Sequence, residues 1–366
     1  MPEQQQAESL NQRLLTRAAE LARALADATE AMGRPRPAMK RVGEHELLAL
    51  SCDEDTQAQA ERAVAGFETE DGTRARRGGG DAFWHRNVGI MKFGFIQALA
   101  AAYRETGEPE YAQAARDYIE DFFDYFAGTG AGEGSVHTSA RIRAWLGALP
   151  SFLDAEAFDE AFVQRVVESL RDHLAAQARN VKGPGNVRLF QAIAFLKGRL
   201  HLPFCEESEQ WRELACDIFN DTAHRDLEPD GSHVEHDPHY HNLYQKTFED
   251  LLLWSRAFPE ERIPGFPEKA ARVFDYAVHS RRPNGQESGM QDGVAAWVCD
   301  GSVQPLLDRR AAVRRLADLP DTAPALAQCF DDAGHVLMRD RWDAEATYVT
   351  FDATRWGGAH SHLARN

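Results

Sequence analysis

Apolar residues recur at steps of three and four along most of the chain. Leu14, Ala18, Leu21, Leu25 and Ala28 form one series. Tyr111, Ala115, Tyr118, Phe122 and Phe126 form a second, and Phe158, Phe162, Val166 and Leu170 a third. With 3.6 residues per turn, each series falls on one stripe of a helix. The same spacing predicts further helices near 89–105, 138–153, 187–199, 207–225, 240–257, 267–281 and 302–317. Breakers rich in glycine and proline lie between them: GTGAGEG at 128–134, KGPGN at 182–186, EPDGS at 228–232 and RRPNGQESG at 281–289. Helices therefore follow one another over the first 320 residues with no strand signal between them. That order implies a helical bundle, a solenoid or a closed α/α toroid. The absence of a fixed-period repeat disfavours the solenoid.

The pattern changes near residue 327. Gly334–Arg339 and Ala346–Phe351 are rich in β-branched and aromatic residues and read as strands joined by the charged turn DRWDAE. A hairpin alone is marginally stable, so the chain is expected to stop inside a second, β-rich domain.

Composition narrows the function. Hydrophobic residues make up 43% of the chain, enough for a sizeable core and too many for wholesale disorder. The net charge is −17, which argues against a general nucleic-acid binder or a binder of anionic membranes. The longest uncharged apolar run, Phe93–Tyr103, is far short of the roughly 20 residues that span a bilayer. The polar start MPEQQQAESLNQRLL lacks the features of a secretory signal, and the scattered cysteines Cys52, Cys205, Cys216, Cys299 and Cys329 suit reduced thiols. Both features predict a cytoplasmic protein, or a periplasmic one if the true N-terminus lies elsewhere.

Four histidines crowd the segment DGSHVEHDPHYH: His233, His236, His239 and His241. Pro238 among them and the apolar helical run after them make this a loop that opens a helix, where free N–H groups favour an anion. Tyr240 lies at that opening, and nearby cationic charge would lower its phenol pKa from about 10 and suit it to proton transfer. A solvated loop, or a zinc site formed by His236, His239 and His241, are alternatives, although the spacing matches no standard zinc motif. Asn186 follows a Gly-Pro-Gly turn and suits an N-cap, or a neutral donor to a substrate carboxylate; Arg188 would add charge there. His360 and His362, in RWGGAHSH, share one face if the segment is extended.

The run NVRLFQAIAFLKGRLHLPFCEESEQWRELACDIFNDTAHRDLEPDGSHVEHDPHYH resembles the central part of heparinase II/III-like polysaccharide lyases, which include alginate and oligoalginate lyases. GHVLMRDRWDAEATYVTFDATRWGGAHSH resembles the first strands of that family's β-sandwich leading into its His-x-His motif. The resemblance implies an incomplete (α/α) toroid over 1–325, followed over 326–366 by the start of an antiparallel β-sandwich domain. It implies β-elimination at a uronic acid of an anionic oligo- or polysaccharide. Removing the C5 proton builds negative charge on the carboxylate, which a neutral or cationic partner must absorb. A base takes that proton and an acid protonates the departing O4.

Carried over by position, Asn186 holds the uronate carboxylate, and Tyr240 serves as acid, and as base where proton and O4 lie on the same side. His360 is a second base or neutraliser. Arg188, Glu235, His239 and His241 line the substrate. His362 is a ligand of a structural zinc in the full β-domain, with co-ligands beyond Asn366; the toroid itself needs no cofactor. The chain departs from the family at Val187, where a His is frequent, and at Ala364, where an Asp is frequent. Two other classes remain at this point: a non-catalytic uronate-binding module or lyase remnant, and a toroid glycoside hydrolase using Glu235, Asp237 or Asp292.

Overall fold

The computed structural model describes residues 8–68, 74–75, 90–126, 136–181, 186–234, 236, 238–261, 265–288 and 301–354. The fold is mainly helical with small antiparallel sheets. The chain divides into two compact units, one comprising Met1–Ala24, Pro37–Gly183 and Val187–Ile218, the other Leu25–Arg36, Pro184–Asn186 and Phe219–Asn366. No helix among the described residues is long and apolar enough to cross a membrane.

The first unit begins with most of α1 (Leu10–Ala31) and continues through α2 (Glu54–Ala65), α3 (Phe95–Thr106), α4 (Pro109–Phe126), α5 (Val136–Ala148), α6 (Glu160–Arg179) and most of α7 (Asn186–His201), into α8 (Ser208–Arg225). α3 packs on α2, α4 and α5. Its core is aromatic: Phe93 meets Trp145 edge-on at 5.2 Å and Phe122 at 5.5 Å, and Phe152 stacks on Phe158 at 4.8 Å. Side-chain caps start the helices where the chain supplies an Asp: Asp53 accepts from Thr56 N, and Asp159 from Phe162 N. α5 ends at Ala148, short of the expected 153, because Pro150 cannot extend an α-helix and the next turn is 3₁₀.

Two hairpins interrupt the helices, contrary to the sequence expectation: β1 (Met39–Val42) with β2 (His45–Leu48), and β3 (Phe67–Glu68) with β4 (Arg74–Ala75). In the first, Val42 pairs with His45 across a two-residue turn whose Gly43 takes φ 55°.

The second unit contains α9 (Pro238–Ala257), α10 (Phe266–His279) and α11 (Gln304–Leu316), with α10 packed on both others. A three-stranded antiparallel sheet follows: β5 (Ala327–Phe330), β6 (His335–Arg339) and β7 (Tyr348–Asp352), in that order. β6 and β7 match the expected hairpin; β5 is an addition. His335, Leu337 and Arg339 alternate onto the inner face, where Leu337 joins Phe330, Ala333 and Tyr276 in a cluster. The outer face carries Met338, Val349 and Phe351, all exposed.

Arginines serve as carbonyl caps throughout this unit. Arg310 donates to Thr322 O at 2.7 Å, Arg314 to Pro320 O at 2.7 Å, and Arg315 to Met32 O, near the end of α1, at 3.0 Å. Arg339 does the most. From β6 it donates one Nη2 to the carbonyls of Val278 (3.4 Å), His279 (3.1 Å) and Arg281 (2.8 Å), at the negative end of the α10 dipole. Its guanidinium lies 3.9 Å from the Trp342 ring centre and 4.9 Å from that of Tyr348, while Tyr348 Oη donates to His279 O. Burial lowers the Arg339 pKa to about 10, still far above neutrality. Arg339→Met, which keeps the stem and removes the donors, is expected to lower stability by on the order of 3 kcal/mol, read as a drop in the urea midpoint.

Candidate active site

The segment 226–236 is built around one carboxylate. Asp230 Oδ1 accepts from Ser232 N (2.9 Å) and Ser232 Oγ (2.7 Å). Its Oδ2 accepts from Asp332 N (3.0 Å) and Ala333 N (3.1 Å), in the turn between β5 and β6, and Asp332 Oδ2 accepts from Asp230 N in return (3.2 Å). Gly231 takes φ 91°, and a Cβ there would collide with the carbonyl of Arg272 on α10. Only glycine satisfies both conditions. Within the DGS motif, then, Asp230 bonds the loop to the sheet and Gly231 lets it lie against a helix.

The loop delivers the chain into α9, as the proline among the histidines predicted. His233 packs its ring 4.4 Å from Tyr244, whose hydroxyl donates to Asp226 (3.0 Å). His236 takes a left-handed φ of 55°, its N–H bonded to His233 O (2.7 Å), and both ring nitrogens are buried without a hydrogen-bond partner. Its ring lies 6.3 Å from that of His335, and Nε2 is 3.9 Å from Glu228. A non-glycine residue in this conformation is a mark of stored strain.

Tyr240 and His241 lie in the first turn of α9, and Asn186 and Arg188 in the first turn of α7, so both helices open on sites of excess positive dipole. Tyr240, Asn186 and Arg188 are half-buried. α7 begins at Asn186 itself, so the capping position falls on residue 185, outside the described residues. Outside them too lie Glu235, Asp237, Asp292, His360, His362 and Ala364, and the side chain of His239.

The expectation that His241 binds substrate is corrected. It is 1% exposed, and its Nε2–H is committed to Val273 O on α10 at 2.9 Å. Its ring meets Tyr276 at 4.7 Å, and Tyr276 Oη bonds His335 Nδ1 at 2.8 Å. The residue ties α9 to α10 and leaves no face for a sugar. Among the described residues no group of three or more His, Cys, Asp or Glu side chains is placed to hold a metal ion.

One network escaped the sequence. Arg281 donates to Asn242 Oδ1, and Asn242 Nδ2 donates to Glu287 Oε1, two residues beyond Tyr240. Arg281 and Glu287 are paired across a β-bridge and both buried. RRPNGQESG looked like a plain loop because its charged residues find their partner in another element.

Burial keeps the inner histidines neutral. It lowers His233 to a pKa of about 3, and His241 and His335 to about 4, against about 6.5 when unfolded. Below pH 6.5 the unfolded chain therefore binds protons that the folded chain refuses, and stability falls as pH drops through that window toward the folded values. Three such groups give a slope of up to about 4 kcal/mol per pH unit. Urea midpoints recorded from about pH 7.5 to about pH 5 should show this decline, and His233→Phe should remove roughly one proton's share of it.

Comparison with known proteins places this arrangement. The family described as heparinase II/III N-terminus matches residues 51–300. A heparin-sulfate lyase of Pedobacter heparinus is 20% identical over 284 residues, covering 72% of this chain and 43% of that protein. One of Bacteroides stercoris is 25% identical over 236 residues, covering 60% and 34%. This chain thus spans less than half the length of either relative. Among solved structures, a crystal structure of heparinase III aligns with a TM-score of 0.70 at 16% identity, over 93% of this chain and 60% of that one. The heparan sulfate lyase HepC of Pedobacter heparinus aligns at 0.65 and 18%, over 91% and 56%. At these identities the structural likeness speaks for the fold, and it bears out the expected toroid-type helical architecture leading into antiparallel strands. With more than half of its residues matched, the chain belongs to the heparinase II/III family.

Proposed function

We propose that the protein is a polysaccharide lyase that cleaves a uronic-acid-containing glycan by β-elimination, with a glycosaminoglycan of the heparan sulfate type as its substrate. The family match over residues 51–300 carries this reading, and the relatives named as heparin-sulfate lyases direct the choice of glycan ahead of alginate. The placement of Tyr240 supports it: a half-buried phenol in a helix's first turn, with neighbouring residues fixed to three other parts of the unit.

Each residue has a task in that chemistry. Asn186, with Arg188 two residues further on, holds the substrate carboxylate as charge builds on it, so that the C5 proton becomes acidic enough to leave. Tyr240 takes the C5 proton, or gives a proton to O4, or does both in turn. The C5–H and C4–O4 bonds break, the C4=C5 double bond forms, and the electron pair of the C4–O4 bond leaves with O4. His360 acts as second base or neutraliser, and Glu235 and His239 contact the sugar. His362 is the residue of this chain that would hold a structural zinc, a role that stiffens a β-domain and takes no part in the proton transfers.

The test is ultraviolet absorbance of the conjugated unsaturated uronate, with the protein incubated against heparan sulfate, alginate and glucuronan. Heparan sulfate should give a rising signal, abolished by Tyr240→Phe with little change in thermal stability. Asn186→Ala should lower kcat by about 10²–10³-fold, the usual cost of one lost donor to a developing oxyanion. Full activity in Tyr240→Phe overturns the assignment. Binding without cleavage would identify a carbohydrate-binding module, and incorporation of water without a new double bond a hydrolase.

A further inference from the structure

We propose that His236 is an acid-released latch on the segment that leads into α9: neutral, its ring stays packed beside the sheet; protonated, it leaves its buried place and the strained backbone beneath it relaxes. The proposal concerns how the folded chain responds to pH and does not depend on the lyase reading.

Three observations carry it. First, the ring is enclosed without being bonded. His236 is 6% exposed, and neither ring nitrogen has a hydrogen-bond partner. Buried polar atoms left unbonded weigh against the closed form. Second, the backbone weighs against it too, since φ is 55°, a left-handed value that residues with a Cβ seldom take. Third, the closed place suits a neutral ring and not an imidazolium. The ring of His335 stands edge-on at 6.3 Å, and Nε2 is 3.9 Å from a Glu228 oxygen, beyond hydrogen-bond reach. A buried cation needs a bonded partner, and this position gives it none. The closed form is held by the fit of the ring and by one backbone bond, from His236 N–H to His233 O.

The charged and titratable groups around the ring come from several elements. Glu228, Asp230 and His233 share its loop, Asp332 lies in the β5–β6 turn, His335 on β6 and Asp352 on β7, while His241 of α9 acts on His233 behind it. Burial holds the His236 pKa below its ordinary value of about 6.5, and the pull of Asp230 and Asp352 offsets this only in part. His233 at about 3, and His241 and His335 at about 4, stay neutral in the folded chain in mild acid. Burial, Asp332 and Asp230 raise the Glu228 carboxyl, so this counter-ion fades as the pH falls. An imidazole released into water regains its ordinary value. The advantage of the closed form is therefore complete above about pH 6.5 and is lost as pH falls through the lower, closed-form value. The four donors on Asp230 keep the preceding turn fastened to the sheet, so the release is confined to the chain between that fastening and Pro238.

The experiment follows amide hydrogen exchange by NMR from about pH 7.5 to about pH 5.5, each rate divided by its intrinsic value. The His236 amide should exchange faster than the amides of α10 throughout. Its protection should fall several-fold across this range, with a ceiling of about tenfold for one released imidazole. His236→Asn removes the titrating group and keeps a residue that tolerates left-handed backbone. Protection at this position should then lose its acid dependence, while the α10 amides keep theirs. His236→Phe serves if that variant does not fold, since it supplies a flat ring that takes no proton, and the same loss is expected. Protection at position 236 that ignores pH, that equals the protection of α10, or that rises in acid, as an ion pair formed in place with Glu228 would make it, overturns the proposal. An acid dependence that survives in a folded variant overturns it as well.

Discussion

The Asp230 carboxylate is the constraint on which the second unit depends. It gathers four donors, two from its own loop and two from the β5–β6 turn a hundred residues later. A carboxylate so bonded fixes both segments at once, because releasing either leaves an anion short of its hydrogen bonds. The loop in turn sets where α9 begins, and the start of α9 is where Tyr240 stands. The hairpin that receives the other two bonds carries His335 and Arg339, which fasten the sheet to α10. The elements around Tyr240 are thus held by polar contacts at their ends, and hydrophobic packing fills the space between them.

This arrangement reconciles an acidic chain with buried cations. The net charge is −17, yet several arginines of the second unit turn inward. They do so where helix ends and turns leave carbonyls that water cannot reach. A guanidinium stays charged when buried and offers several donors in one plane, so one side chain can satisfy several acceptors. Arg339 meets three carbonyls, and Arg310 joins a carbonyl to the carboxylate of Asp275. Buried histidines play the opposite part: His241 and His335 stay neutral and are used as flat, packable rings, each with one ring-nitrogen hydrogen bond.

Much of the fold was legible in the sequence wherever packing has a period. The helices bearing large apolar residues at steps of three and four lie close to where the spacing put them. α2 escaped because its buried positions are Ala60 and Ala63, which leave almost no apolar stripe to see. The early hairpins escaped because strands such as MKRV and HELL are four residues long and mix charges with apolar side chains. For the site, the proline among the histidines correctly indicated a helix opening, and the DGS motif a turn. What the turn binds was not legible, since Asp332 and Ala333 are distant in sequence. His241 was misread for a related reason: a histidine beside a tyrosine at a helix start looks the same whether it faces a ligand or the carbonyl of Val273.

The cap that Arg339 places on α10 also makes the sheet depend on the helix. A short sheet with Met338, Val349 and Phe351 exposed on its outer face has little to hold it together by itself. Its inner face is held by acceptors that exist only once α10 has ended in the right place. The hairpin's inner-face bonds are therefore complete only where the folded helix end is present. Synthesis from the N-terminus presents α10 some sixty residues before β6, so the template is ready when the strands emerge.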